Sequence, residues 1–547
     1  MRLNEKKMNG TSRPSVPSSL VFLFVSLFLF SSLYGQDRKI QRTNPRLVVN
    51  MVIDGLRSDY ISLFWNDFGN GGFRRLIGEG TYCRNMLFPY RNVGRFADYA
   101  TFTTGALPSD HGICADRYYE GDRHQTVSCL FDSKVEGVGS EQKLSPVGLE
   151  SSTLSDELRL STQGKGKIVT VAIDAEPALI LSGHSGKVVW MSEQTGKWAT
   201  STYYSNLLPS WAVKSNGENQ LGTFLEQDWT NLYSPSSYRA HSAQKFETSF
   251  FNYSFTDLLP REQIRRFKSS PYANEMVCEL ATQALQDEYL GVDDVTDMLN
   301  LQLTLRVSDL PTAEGVTAEV QDMYLRLDAR LQELLKDLDE LCGVGEVLYV
   351  ITSPQEQYVS PEYLKNYGIP SGYFVSDRAR SLLSTYLMAT YGQADFVRGY
   401  YRQQLFLDHH EIREKGLDYD SVSTKVAHFM ARFEGVQMAF RKEDMERVTN
   451  DDTRVRMARN SFSWEKSGDI LIYLKPGWVE VEKETEKVGL SSRINNYAPF
   501  ILSGWNVRRQ VLNRTISALD VAPTVSVLLH LPFTNANEGA PLYEVIK

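Results

Sequence analysis

Histidine is scarce in this sequence: there are eight among 547 residues, and none between Ser242 and Asp408. A metal centre built on imidazole cannot draw on that stretch. Cysteine is rarer still, at five, and no pair has the C-x-x-C spacing of a zinc knuckle or a thioredoxin-type site. Basic runs are missing beyond the first residues, and the net charge is −9. Nucleic acid and anionic membrane surfaces are thereby disfavoured as partners, since both reward clustered Lys and Arg. No internal repeat and no low-complexity linker is present.

What is there suits a globular chain. A hydrophobic content of 42% and an aromatic content of 11% are ample for one large core or two to three domains. At the start, Arg2, Lys6, Lys7 and Arg13 precede the apolar run Leu20 to Phe30, which ends at small residues before Gln36. That order predicts an export signal over residues 1–35, cleaved after Gly35. An uncleaved anchor is the alternative, but the run falls short of the roughly 20 residues that span a bilayer. No transmembrane span is expected after cleavage. No cysteine stands at the cut to take a lipid, so the product is expected in the periplasm, associated with the outer membrane, or secreted. In an oxidising compartment two readings of the cysteines fit: a Cys114–Cys129 bridge across a short polar loop, or five small buried side chains.

Farther on, Arg46 to Ile53 is a nearly continuous apolar run rich in Val, the pattern of a central parallel strand buried on both faces. Asp54 follows it, at the carboxyl end, where open α/β sheets place their ligands. Strand and helix signals alternate from Arg46 to Gly183 and return at Thr317 to Thr352 and Phe500 to Leu531. Together they predict a doubly wound sheet with helices on both faces. Two stretches interrupt it, at about 190–272 and about 362–448, the second read as helical and polar.

The texts VVNMVIDGLRSDY, GGFRRLIGEGTYCRN and ATFTTGALPSDHGI resemble the alkaline phosphatase superfamily, and within it the secreted PafA-like phosphatases of Bacteroidetes, relatives of type I phosphodiesterases and nucleotide pyrophosphatases. The likeness continues through Ala178 to His184, Trp190 to Gly196, Asp322 to Asp328, Gly468 to Trp478 and Asp520 to Leu542. It implies one alkaline phosphatase-like domain over residues 36–547, with the two interrupting stretches as a cap beside the site. It also implies chemistry by two zinc ions, held by Asp and His, that polarise phosphate and activate a Thr hydroxyl.

Carried over residue by residue, that site is nearly erased. Asp54 keeps the first ligand. The nucleophile falls on Arg95, and a guanidinium cannot attack phosphorus. The His of a Gly-His-Ala-Ser text falls on Tyr99, and the phosphate-binding Asn on Asp116. The ligand Asp and His expected before the helix at Asp322 fall on Val307 and Pro311; those expected after the strand Val347 to Ile351 fall on Pro354 and Gln355; the last His falls on Val488. The two phosphate-gripping cations fall on the acids Asp174 and Glu176. With histidine absent nearby, a shift of register does not rebuild two zinc sites, so no cofactor is expected. Each of the eight histidines is read as structural or superficial.

Simpler readings cover the remaining signals. Asp293, Asp294 and Asp297, and likewise Asp451 and Asp452, lack the oxygen spacing of an EF-hand and read as solvated acids. A helix from Asp322 to Leu341 buries Leu325, Leu327, Leu331, Leu334, Leu335 and Leu338. The aromatic cluster from Tyr386 to Phe406 reads as core or lid contact.

The functional expectation is a secreted phosphatase-fold protein without catalysis, serving a binding or scaffold role in the cell envelope with an unidentified protein or ligand. The alternative is a divergent metal-dependent hydrolase of phosphate, phosphodiester or sulfate esters, which would need the two zinc ions. Arg95 is expected to replace the missing metal charge by bonding Asp54 and either Asp116 or Glu176, against the alternative that it swings into solvent. One cation facing up to four carboxylates would leave an excess of negative charge that repels phosphate.

Overall fold

The run LVVNMVID forms a strand, Leu47–Asp54 (β1), with every residue buried. Only the middle of a sheet covered on both faces shelters such a strand completely. The computed structural model describes residues 43–91, 93–120, 125–239, 250–307, 316–354, 361–447, 452–483, 490–491 and 496–547. In it β1 is central to an 11-stranded sheet. The other long members are Thr81–Leu87 (β2), Ile168–Ala172 (β3), Lys187–Met191 (β4), Trp198–Ser201 (β5), Asp297–Thr304 (β6), Val347–Thr352 (β7) and Tyr497–Gly504 (β8). They lie in the order β2, β8, β7, β1, β6, β3, β4, β5. The middle five, β7 to β4, are parallel, and β8 and β5 run antiparallel to their neighbours.

Alternate side chains of β1 enter two different cores, as the period of a strand requires. Val49, Met51 and Ile53 belong to one core and Val48 and Val52 to the other. The first core is covered by Pro260–Lys268 (α3), Pro271–Asp287 (α4) and Ala318–Cys342 (α5), the second by Arg95–Thr104 (α1), Ala175–Ser182 (α2) and Val521–Leu528 (α6). This is the doubly wound α/β architecture. The helix expected from Asp322 starts earlier because Thr317 accepts the Val320 N–H and caps it, the role for which Thr is favoured. All six of its named leucines are buried.

Both interruptions differ in detail from their reading in the sequence. Trp190 and all of β5 are still strands of the main sheet. The segment between β5 and α3 packs Trp211, Trp229, Phe251, Tyr253 and Phe255 into the first core. The later stretch is mixed rather than helical. Val397–Tyr401, Gln404–Leu407, Ile470–Leu474 and Val436–Arg441 make a separate four-stranded sheet, packed with Ser376–Tyr391 and Tyr419–Met430 around its own core. Phe396 belongs to that core, and Tyr386, Tyr391 and Tyr400 pack half-buried against it.

All five cysteines are buried and unbridged. Cys114 donates its thiol to the Pro108 carbonyl at 3.1 Å, and burial pushes that thiol up to about 12. Of the two cysteine readings, five small buried side chains is the one the structure shows. Among the described residues no helix is long and apolar enough to cross a membrane.

One polar contact ties the entry of the helix Phe73–Glu79 to α5. The Asp328 carboxylate accepts the Gly69 and Phe73 backbone N–H groups, each at 2.7 Å. Replacing it strands one buried and one partly buried donor. Asp328→Ala is therefore expected to lower stability by about 2–4 kcal/mol, read from the urea midpoint.

Candidate functional site

At the carboxyl edge of the parallel strands the chain gathers charge. Asp54 ends β1, opposite Thr304 of β6, and Asp174 stands just past the end of β3 as the residue before α2. Between them Gln302, paired in register with Val52 and Ala172, reaches both. Its amide donates to Asp54 at 3.1 Å and to Asp174 at 3.4 Å. Its carbonyl accepts the Ile173 and Asp174 N–H groups at 2.7 and 2.8 Å.

Arg95 is the first residue of α1, a helix whose other nine residues are buried. A helix that well buried holds its first side chain in a fixed place. One Arg95 nitrogen donates to Asp54 and the other to Asp174, the latter at 2.6 Å. One turn on, Tyr99 donates its hydroxyl to the second oxygen of Asp54 at 2.6 Å. Lys268, the last residue of α3, holds the far oxygen of Asp174 at 2.7 Å. The result is a chain of alternating charge: Asp54, Arg95, Asp174, Lys268.

Burial pushes the Asp54 carboxyl up from its ordinary value, opposed by the positive charges of Arg95 and Arg306. Burial also works to raise Asp174, but Lys268 and Arg95 outweigh it and hold that carboxyl well below the usual range. The Tyr99 phenol is raised by burial and by the adjacent Asp54. Glu176 is raised chiefly by burial.

Arg95 does not bond Asp116 or Glu176, the acids paired with it in the sequence reading. Asp116 accepts the Phe96 N–H at 3.0 Å and caps α1 from outside the chain's own N-cap. Its carboxylate lies so close to Gly94 that a Cβ there would meet it at 1.9 Å. Its other oxygen takes Arg402 at 2.9 Å. Glu176 accepts the Ser128 hydroxyl at 2.7 Å. The second carboxylate on Arg95 is Asp174, because β3 and α2 bring it to the same edge as Asp54.

The described residues do not show the expected excess of negative charge. A cleft of about 550 Å³ opens over Asp54. Among the described residues its walls carry five cationic side chains, Arg95, Arg261, Arg265, Lys268 and Arg306, against the carboxylates of Asp54, Asp174 and Glu193. Sequence reasoning missed Gln302 and the cations of α3. The signals were a lone Gln in an apolar strand and the spacing of Arg261, Arg265 and Lys268, which falls on one helix face.

Pro311, Gln355 and Val488 lie outside the described residues. Val307 packs half-buried against the first core, and Pro354 is buried. The described residues do not by themselves offer the donors of a zinc pair. Both oxygens of Asp54 are engaged by Tyr99, Arg95 and Gln302, the nearby Asp174 is held by Arg95 and Lys268, and among the described residues no three His, Cys, Asp or Glu side chains converge on a metal position. Histidines serve elsewhere: His111 is buried against Thr101 at 3.1 Å, His184 bonds Asp156, His409 bonds Asp469, and His530 bonds Asn44. His410 and His428 are exposed, and His124 and His241 lie outside the described residues.

This mostly parallel sheet with helices on both faces is the fold of the alkaline phosphatase superfamily. The crystal structure of alkaline phosphatase PafA matches with a TM-score of 0.82 at 26% identity, covering 92% of this chain and 99% of that one. The profile of the type I phosphodiesterase / nucleotide pyrophosphatase family matches residues 48–506, and the chain belongs to that family. Alkaline phosphatase PafA of Elizabethkingia meningoseptica is 26% identical over 537 residues, 95% of this chain and 98% of that one. Alkaline phosphatase PhoV of Synechococcus elongatus is 29% identical over 515 residues, 92% and 93% of the two chains.

Removing the Arg95 guanidinium leaves Asp54 and part of Asp174 uncompensated. Arg95→Ala is expected to lose about 3 kcal/mol at neutral pH. Without that positive charge the folded Asp54 pKa rises further above its unfolded value, which disfavours the folded state once the carboxyl ionises. Protonation removes that penalty, so the deficit relative to the parent should narrow as pH falls toward about 5. Denaturation of both proteins across that interval measures it; a variant as stable as the parent contradicts the network.

Proposed function

We propose that this protein is a catalytically inactive member of its family, exported to the cell envelope or beyond, whose cleft serves binding rather than hydrolysis. The observation that supports it is Arg95. At the position where the resemblance puts a Thr nucleophile, a guanidinium is locked between Asp54 and Asp174. It has no lone pair to give phosphorus and remains protonated at any ordinary pH. It also brings positive charge to the place that a zinc ion would take, which leaves no role for a resident metal. The export signal that the sequence pattern predicts over residues 1–35 supports the envelope location.

The names of the relatives favour a second reading, a divergent hydrolase of phosphate, phosphodiester or sulfate esters, and one experiment separates the two. Purified protein is assayed with an aryl phosphate in the presence of added Zn²⁺, and its metal content is measured by elemental analysis. No turnover and no stoichiometric zinc are expected. Near two zinc ions per chain with turnover would establish the enzyme. Since nucleophile, ligands and phosphate grips are altered together, Arg95→Thr alone should also stay inactive in the same assay.

A further inference from the structure

A second cavity, of about 660 Å³, lies at the amino edge of the parallel strands, opposite to the edge that holds Asp54. His184 and Ser185 of its wall come just before β4, and Gln163 and Gly164 just before β3. The helix Leu154–Ser161 contributes Asp156, Arg159 and Leu160. The acids of these walls are matched. Glu150 takes Lys466 at 2.6 Å. Asp156 takes one ring nitrogen of His184 at 2.9 Å, and the Leu149 carbonyl lies 3.3 Å from the other; both partners only accept, so both nitrogens donate and the ring is held as its cation. Arg159 has no such match. Among the described residues its guanidinium meets no carboxylate, and its one hydrogen bond goes to the Gly166 carbonyl at 3.4 Å, although the residue is half-buried. A position in the last turn of a helix favours a cation, but it does not supply the counter-charge and acceptors that a partly desolvated guanidinium calls for. A second donor lines the same cavity. Asn535 accepts Ser151 and Ser152 through its Oδ1, and its Nδ2 donates to no group among the described residues.

We infer that this cavity is a binding site for a small monocarboxylate with an apolar body, its head on Arg159 and the Asn535 amide and its body along Leu149 and Leu160. The planar fork of a guanidinium matches the two oxygens of a carboxylate. One unmatched cation suits one negative charge, and the carboxylates of Glu150 and Asp156 in the same walls oppose a dianion such as a phosphate monoester or a dicarboxylate. Leu149 is buried and Leu160 exposed, and with the methylene stem of Arg159 they set apolar surface directly beside the charged head. An exposed leucine alone carries no meaning; next to an unmatched guanidinium, in a cavity of small-molecule size, it provides the other half of an amphiphilic site. Asp54, Arg95 and Asp174 gather at the carboxyl edge, where open α/β sheets place their ligands. The cavity at the amino edge is separate from them, so it stands whether or not the Asp54 cleft hydrolyses anything.

Octanoate, kept below its micellar concentration, is the probe, titrated calorimetrically into the full mature chain. Saturable binding is expected, tighter by about tenfold or more than that of 1-octanol, which keeps the body, or of acetate, which keeps the head. Arg159→Gln should lower the octanoate affinity by about tenfold or more, because a charge-assisted pair is lost. Asn535→Asp reads the same head contact in a second way. It keeps an oxygen for Ser151 and Ser152 and turns the remaining donor into a charge that repels the carboxylate, so a similar loss is expected. Lys165→Gln removes an exposed cation outside the cavity walls and should bind like the parent. Absence of saturable octanoate binding, equal affinity for 1-octanol, undiminished affinity in either the Arg159 or the Asn535 variant, or an equal loss in the Lys165 variant overturns the site.

Discussion

An ionised carboxylate buried at the end of a central strand must be compensated, and Asp54 is such a group. Taking a charge of that kind out of water costs several kcal/mol unless an opposite charge and hydrogen bonds replace the solvent. Arg95 supplies the charge, and Tyr99 and Gln302 supply the bonds. The geometry that delivers them is inherited from the sheet. Asp54 projects on the side that α1 covers, and the register of β1 with β6 and of β6 with β3 sets Gln302 between the two acids. A guanidinium of five donors has capacity for more than one acid, which draws in Asp174 and through it Lys268. The ionic chain is thus the consequence of one buried acid and one helix start.

The same helix start links the main sheet to the smaller one. Asp116 serves α1 as a cap and meets Arg402, which lies between the strands Val397–Tyr401 and Gln404–Leu407 of the second sheet. Tyr119 adds a second tie, donating its hydroxyl to the Arg398 carbonyl at 2.6 Å. Asp116 therefore keeps a structural task that does not depend on any ligand. Close by, Glu480 is buried among Tyr400 and Gln403, and burial raises its carboxyl to about 7.

Much of this was legible in the sequence, for identifiable reasons. The apolar β1 and the leucines of α5 announce themselves because burial on both faces, or on one helical stripe, leaves a periodic mark. Asp54 was legible because an acid after such a strand stands at a sheet's carboxyl edge. The identity of Arg95's second partner was not. Asp116, Asp174 and Glu176 are equivalent as letters, and only the three-dimensional placement of α2 against α1 decides among them. The cations of α3 were hidden differently: 87 residues separate Asp174 from Arg261, and no local pattern reveals that a later helix lies over the end of an earlier strand. Mixed sheet and helix in the second lobe escaped because its strands are short and one of them, Ile470–Leu474, enters from beyond the stretch read as the insertion.

The bridge through Arg95 also bears on how this chain can change over time. Asp54 and Asp174 now share one guanidinium, so the three positions have become mutually dependent. Any single replacement leaves a neighbour without its counterpart, and the intermediate is less stable than either end point. A small hydroxyl side chain at position 95 would strand both acids, and a replacement of either acid would leave the guanidinium without half of its counter-charge. The ion network thus acts as a ratchet, tolerating drift in the surrounding walls while resisting single replacements at positions 54, 95 and 174.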